Sequence, residues 1–164
     1  MLKHLMAGNP PLKLAVAESM TAGHLQATIA AEPGASEFFL GGITAYTLEQ
    51  KVRHLGVARE AAAPVDCVSA EVAWQMARGA CRLFGSDVAV ATTGYAEPAP
   101  ARGFAQPGVH WALCHRLADG GESRREGFLR LEGSGRTEAQ QRAAAAVYAA
   151  LVEYLENWRR AAGC

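Results

Sequence analysis

The chain has 164 residues, half of them hydrophobic, with sixteen basic and sixteen acidic side chains that cancel at pH 7. That length suits a single domain over residues 1–164 with one substantial core, and the balanced charge offers no field to hold nucleic acid or a membrane surface as a partner. No apolar run approaches the roughly 20 residues that cross a bilayer, and the opening segment lacks a long apolar stretch with a small-residue cleavage site, so a cytoplasmic setting is expected.

Met1 to Met6 reads as a short helical turn, closed by Asn9-Pro10-Pro11 because proline cannot continue a helix. From Leu12 the run LKLAVAESMTAG reads as a buried strand that delivers Ser19 to a helix start, the place where open α/β sheets put ligands. Gly23 to Ala31 is helical in spacing and stops at Glu32-Pro33-Gly34-Ala35; Ser36 then caps a short turn carrying Phe38 and Phe39. Gly41 to Thr47 is a short strand reaching Tyr46, and Leu48 to Leu55 a helix whose apolar face is Leu48, Val52 and Leu55, with Lys51 placed on another face. The alanine-rich Val57 to Val68 carries no decisive pattern. Ser69 caps a helix running to about Phe84, striped by Val72, Met76, Ala80 and Leu83 and ended by Gly85. Asp87 to Thr93 is too apolar for a surface strand and reads as central. Gly94 to Gly108, with Pro98, Pro100 and Pro107, is a loop that walls any site at that strand end. Val109 to Leu117 and Arg125 to Leu131 form a hairpin through Asp119-Gly120-Gly121, and Thr137 to Ala161 a long helix with Val147, Leu151, Tyr154, Leu155 and Trp158 inward. The order predicts an α/β fold, a three-layer α/β/α domain with a mixed, mostly parallel sheet.

Three polar side chains fall at strand ends or helix starts: Ser19, Tyr46 and Thr93. A serine hydroxyl attacks only when a base takes its proton, and a lysine serves only when burial lowers its pKa. Lys51, five residues beyond Tyr46, is the candidate base, Tyr46 a proton relay, and the amides of Thr21 to Gly23 the holders of an oxyanion. Taken singly, each residue has a plainer reading: Ser19 as an N-cap, Lys51 on a solvated helix face, Tyr46 half-buried on a strand, Thr93 satisfying backbone. Cys67, Cys81, Cys114 and Cys164 are widely spaced without a CxxC pair and read as buried or incidental thiols. His4, His24, His54, His110 and His115 include no metal-binding spacing, and His110 and His115 fall on opposite faces of one strand, so no metal is expected. Gly41-Gly42 lacks the lysine and hydroxyl of a phosphate loop and reads as close backbone packing, Trp74 and Trp111 as core aromatics.

The blocks AESMTAG at 17–23, PGASEFFLGGITAYTLEQKVRHLGV at 33–57, VSAEVAWQMARGA at 68–80 and VAVATTGYAEP at 88–98 together resemble the CinA C-terminal domain family, whose stand-alone members include nicotinamide mononucleotide deamidases. The resemblance implies a catalytic group of Ser19, Tyr46 and Lys51, a site lined by Thr93, a pyridine nucleotide substrate, no cofactor or metal, and a homodimer or higher homo-oligomer. Substrate contacts are expected at Thr21, Ala22, Gly23, Thr93 and Gly94, with Arg136 as a phosphate partner. Two departures stand out. Where the family has Ser-Cys-Thr-Gly-Gly this chain has Ser19-Met20-Thr21-Ala22-Gly23, and the extra methyl is expected to narrow the oxyanion pocket. The family's Thr-Gly-Ile-Ala-Gly-Pro appears as Thr93-Gly94-Tyr95-Ala96-Glu97-Pro98, which sets a carboxylate where a phosphate is expected, opposing it unless Arg102 or another cation offsets the charge. Three readings follow: deamidation of nicotinamide mononucleotide, a non-catalytic relative that binds a nucleotide-like ligand or a protein partner, and hydrolysis of another amide or ester.

Overall fold

The computed structural model describes residues 1–161 and 163; Cys164 lies outside them. In chain order the helices are α1 (Leu2–Ala7), α2 (His24–Ala30), α3 (Leu48–Leu55), α4 (Arg59–Ala62), α5 (Ala70–Phe84) and α6 (Arg136–Ala161). The strands are β1 (Leu14–Glu18), β2 (Phe39–Thr44), β3 (Val88–Tyr95), β4 (Gly108–Arg116) and β5 (Glu122–Arg130). They form one sheet in the order β2-β1-β3-β4-β5, in which β1 runs parallel to β2 and β3 while β3, β4 and β5 are antiparallel in turn.

Alternation along the strands divides the interior in two, because successive side chains point to opposite faces. Leu14, Val16, Val88, Val90 and Leu113 pack with α1, α2 and α6 on one side. Ala15, Ala17, Ala89, Ala91 and Ala112 pack with α3, α4 and α5 on the other. The result is the three-layer α/β/α arrangement. Alanines on the second face leave little room to fill, and α3 and α5 close on each other so tightly that a Cβ at Gly79 would lie 2.1 Å from the Leu55 carbonyl oxygen. Gly42 plays the same part on β2, where a Cβ would meet Val16 at 2.4 Å and Gln26 at 2.6 Å.

The strand order creates a crevice. From β1 the chain leaves through α2 to β2 on one side, then returns through α3 to α5 across the opposite face to β3 on the other side of β1. Ligands bind at the carboxyl ends of strands where such connections diverge. Ser19, Ala45 and Thr92–Thr93 all emerge at that edge.

Some expected boundaries move. β3 continues to Tyr95 because Gly94 and Tyr95 pair with Val109 and Gly108, so the loop begins after them. β5 starts at Glu122, since pairing with Arg116 extends the ladder through charged, exposed edge residues that carry no hydrophobic signal. Leu83, expected in the α5 stripe, is 46% exposed. Trp74 is only partly buried and is flanked by Arg124, 5.0 Å from its ring. Among the described residues no helix is long and apolar enough to cross a membrane.

Candidate active site

The turn after β1 is built on a residue to which the sequence assigned no role. Glu18 is completely buried, and its carboxylate accepts from the Thr21 hydroxyl at 2.6 Å and from the amides of Gly23, Leu25 and Gln26 at 3.1, 3.0 and 2.9 Å. An anion at a helix start meets unpaired N–H groups and the positive end of the dipole, so Glu18 caps α2 from the strand that precedes it. Thr21 Oγ1 also lies 2.7 Å from Thr92 Oγ1; with the Thr21 proton given to Glu18, Thr92 is the donor. Ser19 N–H donates to the Thr92 carbonyl at 3.0 Å, which ties the turn to the end of β3.

Lys51 does not lie on a solvated face. Leu48, Lys51 and Leu55 are three or four residues apart, so they share the inward side of α3, and Lys51 is 1% exposed. Its Nζ donates to Ser19 Oγ at 2.8 Å, to the Ala45 carbonyl at 2.9 Å and to the Tyr46 carbonyl at 3.2 Å. Burial pushes its pKa down, opposed by the weaker fields of Cys67 and Asp66. Once the amine loses a proton, the two carbonyls keep its two N–H groups and its lone pair turns to Ser19, so that the serine hydroxyl becomes the donor. This is the arrangement a lysine general base requires.

Ser19 and Lys51 open into a cleft of about 560 Å³, within the range of small-molecule sites. Its walls include Met20, Tyr46, Asp66, Cys67, Thr93, Gly94, Glu97 and Arg136. Thr93 contributes position rather than a free hydroxyl, since its Oγ1 donates to the Cys67 carbonyl at 2.6 Å. That bond braces a wall in which Asp66 and Cys67 hold left-handed backbone, with φ of 51° and 63°, a conformation of order 1–3 kcal/mol per residue that persists only when its surroundings enforce it. Tyr95 adds a second brace, its hydroxyl donating to Asp66 Oδ2 at 2.9 Å. Gly94 is required by contact, because a Cβ there would sit 2.2 Å from the Gly108 carbonyl oxygen.

Three sequence expectations change here. Tyr46 supplies Lys51 with its carbonyl, while its hydroxyl lines the same cleft and accepts from Arg136 Nη1 at 3.5 Å. Thr21, Ala22 and Gly23 lie outside the cleft lining, and the Gly23 amide is taken by Glu18 while that of Ala22 donates to the Ser19 carbonyl. Among the described residues the amides of Met20 and Thr21 donate to no acceptor, and of the two only Met20, directly after Ser19, lines the cleft. Ala22 is exposed with φ 47°, so its methyl strains the turn instead of narrowing the pocket. Finally, Arg136 does reach the mouth, paired with Glu97 at 2.6 Å through Nη2 and 3.2 Å through Nε. Arg102 goes instead to Asp66, at 3.8 Å. The roles of Glu18, Thr92 and Asp66 had no sequence signal beyond position, since each depends on partners brought from another strand or loop.

Comparison with known proteins places this geometry in context. A family model described as the CinA C-terminal domain matches residues 4–155. A CinA-like protein from Chlorobium limicola is 37% identical over 156 residues, covering 93% of this chain and 35% of the relative. A putative competence-damage inducible protein from Moorella thermoacetica is 47% identical over 87 residues, 53% of this chain and 21% of the relative. The chain thus spans little more than a third of the length of the curated relatives it matches. A crystal structure of a CinA superfamily protein from Enterobacter cloacae superposes with a TM-score of 0.84 at 28% identity, covering 94% of this chain and 88% of that one. The competence damage-inducible protein A of Klebsiella pneumoniae gives 0.83 at 28% identity, with 96% and 93% coverage.

Proposed function

The chain belongs to the CinA C-terminal domain family, and from that premise we propose that it is a serine amidohydrolase that converts nicotinamide mononucleotide to nicotinate mononucleotide and ammonia. The observation that carries the reading is the 2.8 Å contact between buried Lys51 Nζ and Ser19 Oγ, with no carboxylate on the lysine. Neutral Lys51 takes the hydroxyl proton as Ser19 Oγ bonds to the carboxamide carbon. The carbonyl electron pair moves onto oxygen, where the Met20 amide receives it. Lys51 then returns the proton to the amide nitrogen, the C–N bond breaks, and ammonia leaves an ester on Ser19. Water, deprotonated by Lys51, attacks that ester; the C–Oγ bond breaks, Ser19 regains its proton, and the carboxylate product departs.

Ammonia release from nicotinamide mononucleotide by wild type, Ser19→Ala and Lys51→Met tests this. Each variant is expected to lose about 10³-fold or more in kcat, and the double variant little beyond either single one, because nucleophile and base act as a unit. Equal rates for wild type and Ser19→Ala would sink the assignment.

A further inference from the structure

We propose that Glu97 is a specificity-determining residue that weakens this cleft's hold on the phosphate of its substrate relative to the nucleoside part, by occupying the guanidinium a phosphate needs. The inference rests on the amidohydrolase reading above and concerns the mouth of the same cleft. Arg136 is the guanidinium of the cleft lining, and both its Nη2 and its Nε are directed at Glu97 Oε2. Its remaining Nη1 donates to the Tyr46 hydroxyl. The neighbouring Arg102, outside the lining, makes a looser ion pair with Asp66 at 3.8 Å. Lys51, at the blind end, is engaged by Ser19 and two carbonyls and is 1% exposed. Among the described residues no cation of the cleft is left for a phosphate.

Charge points the same way. With Lys51 neutral, as attack requires, the pairs Arg136–Glu97 and Arg102–Asp66 leave the mouth with no net positive charge. A phosphate monoester brings about −1.5 to −2 at neutral pH, so it must displace Glu97 from Arg136 and then sit beside the released carboxylate. An N-glycosylated pyridinium carboxamide without phosphate needs no cation at the mouth. Glu97 is not a floppy competitor. It follows buried Ala96 and precedes Pro98, in a loop pinned by the paired backbone bonds of Ala99 and Phe104 at 2.8 and 3.1 Å. Both partners of the pair are half exposed, which limits the effect to about tenfold rather than orders of magnitude.

The test compares kcat/KM for nicotinamide riboside and nicotinamide mononucleotide in wild type, Glu97→Gln and the double variant Glu97→Gln with Arg136→Met, at low salt. Isothermal titration of ribose 5-phosphate into wild type, Glu97→Gln and Ser19→Ala accompanies it. Wild type is expected to hydrolyse both. Glu97→Gln shifts the ratio of the two substrates about tenfold toward the mononucleotide, through KM and not kcat, and binds ribose 5-phosphate about tenfold more tightly; adding Arg136→Met removes both gains. An unchanged substrate ratio in Glu97→Gln overturns the proposal. If wild type hydrolyses neither substrate, the amidohydrolase reading fails by itself and the titration still decides for Glu97: equal ribose 5-phosphate affinity in wild type and Glu97→Gln overturns it.

Discussion

Replacing Glu18 by alanine strips the acceptor from four donors at once, the Thr21 hydroxyl and the amides of Gly23, Leu25 and Gln26. The site is fully buried, so water is not at hand to replace the carboxylate. A hydrogen bond to a charged acceptor contributes about 1.5–3 kcal/mol and an anion at a helix start about 0.3–1. Simple addition overshoots, because the Thr21 hydroxyl can turn and the first turn of α2 can relax; a loss of about 4 kcal/mol matches the breaking of other buried networks. Glu18→Gln is milder and informative. Oε2 accepts three of the four bonds and Oε1 only that of Gln26, so a glutamine with its oxygen at the Oε2 position keeps three and turns an NH₂ toward one amide, at a cost of about 2 kcal/mol. For a chain of this size 1 kcal/mol moves Tm by about 2–4 °C. Thermal unfolding followed by circular dichroism should therefore fall by about 4–8 °C for Glu18→Gln and about 8–16 °C for Glu18→Ala. Ser19 directly follows Glu18, and a displacement of about 1 Å of the nucleophile costs on the order of 10²-fold in rate, so ammonia release should fall in the same order. A Glu18→Ala protein melting within about 2 °C of wild type, or one more stable than Glu18→Gln, refutes the capping argument.

Ala22→Gly should raise Tm by roughly 1–2 °C, because relief of about 1–2 kcal/mol from alanine at φ 47° exceeds the added entropy of the unfolded glycine by a few tenths of a kcal/mol; a tenfold change in KM would instead return the methyl to the substrate pocket. Gly79→Ala forces a Cβ against the Leu55 carbonyl and moves α3, so both Tm and turnover should drop, the former by the equivalent of about 1–3 kcal/mol of overpacking. Calorimetry and the ammonia assay check the pair together, and a variant that loses stability with full activity would show that Lys51 does not depend on the α3–α5 approach. Asp66→Asn tests the base by sign. As the proposed base, Lys51 would act when neutral, so kcat/KM should rise as pH climbs through its pKa. Asp66 holds that pKa up against the larger effect of burial. Removing the charge should move the rising limb to lower pH, while asparagine keeps the left-handed backbone at φ 51°. A limb that stays in place or moves to higher pH assigns the titration to another group.

The amino-acid sequence by itself determined the alternation of strands and helices, the strand that ends at Ser19, the helix α3, and α5 with its caps at Ser69 and Gly85. These are local matters of side-chain period and of residues suited to helix ends. Resemblance to a family singled out Ser19, Tyr46 and Lys51, where position alone allowed a cap, a strand residue and a surface lysine. Tertiary structure decided what each does. Lys51 is a base candidate because α3 packs against α5 and turns the amine inward onto the strand ends. Glu18 took the helix-start amides that an oxyanion was expected to use, and Tyr46 entered through its carbonyl while its hydroxyl went to Arg136. The pairing of Arg136 with Glu97 joins residues 39 positions apart in the chain. Such contacts leave no periodic mark, because they arise where the ends of separate strands and the start of the last helix converge, and the energy of a buried or paired charge depends on that convergence and not on its neighbours in sequence.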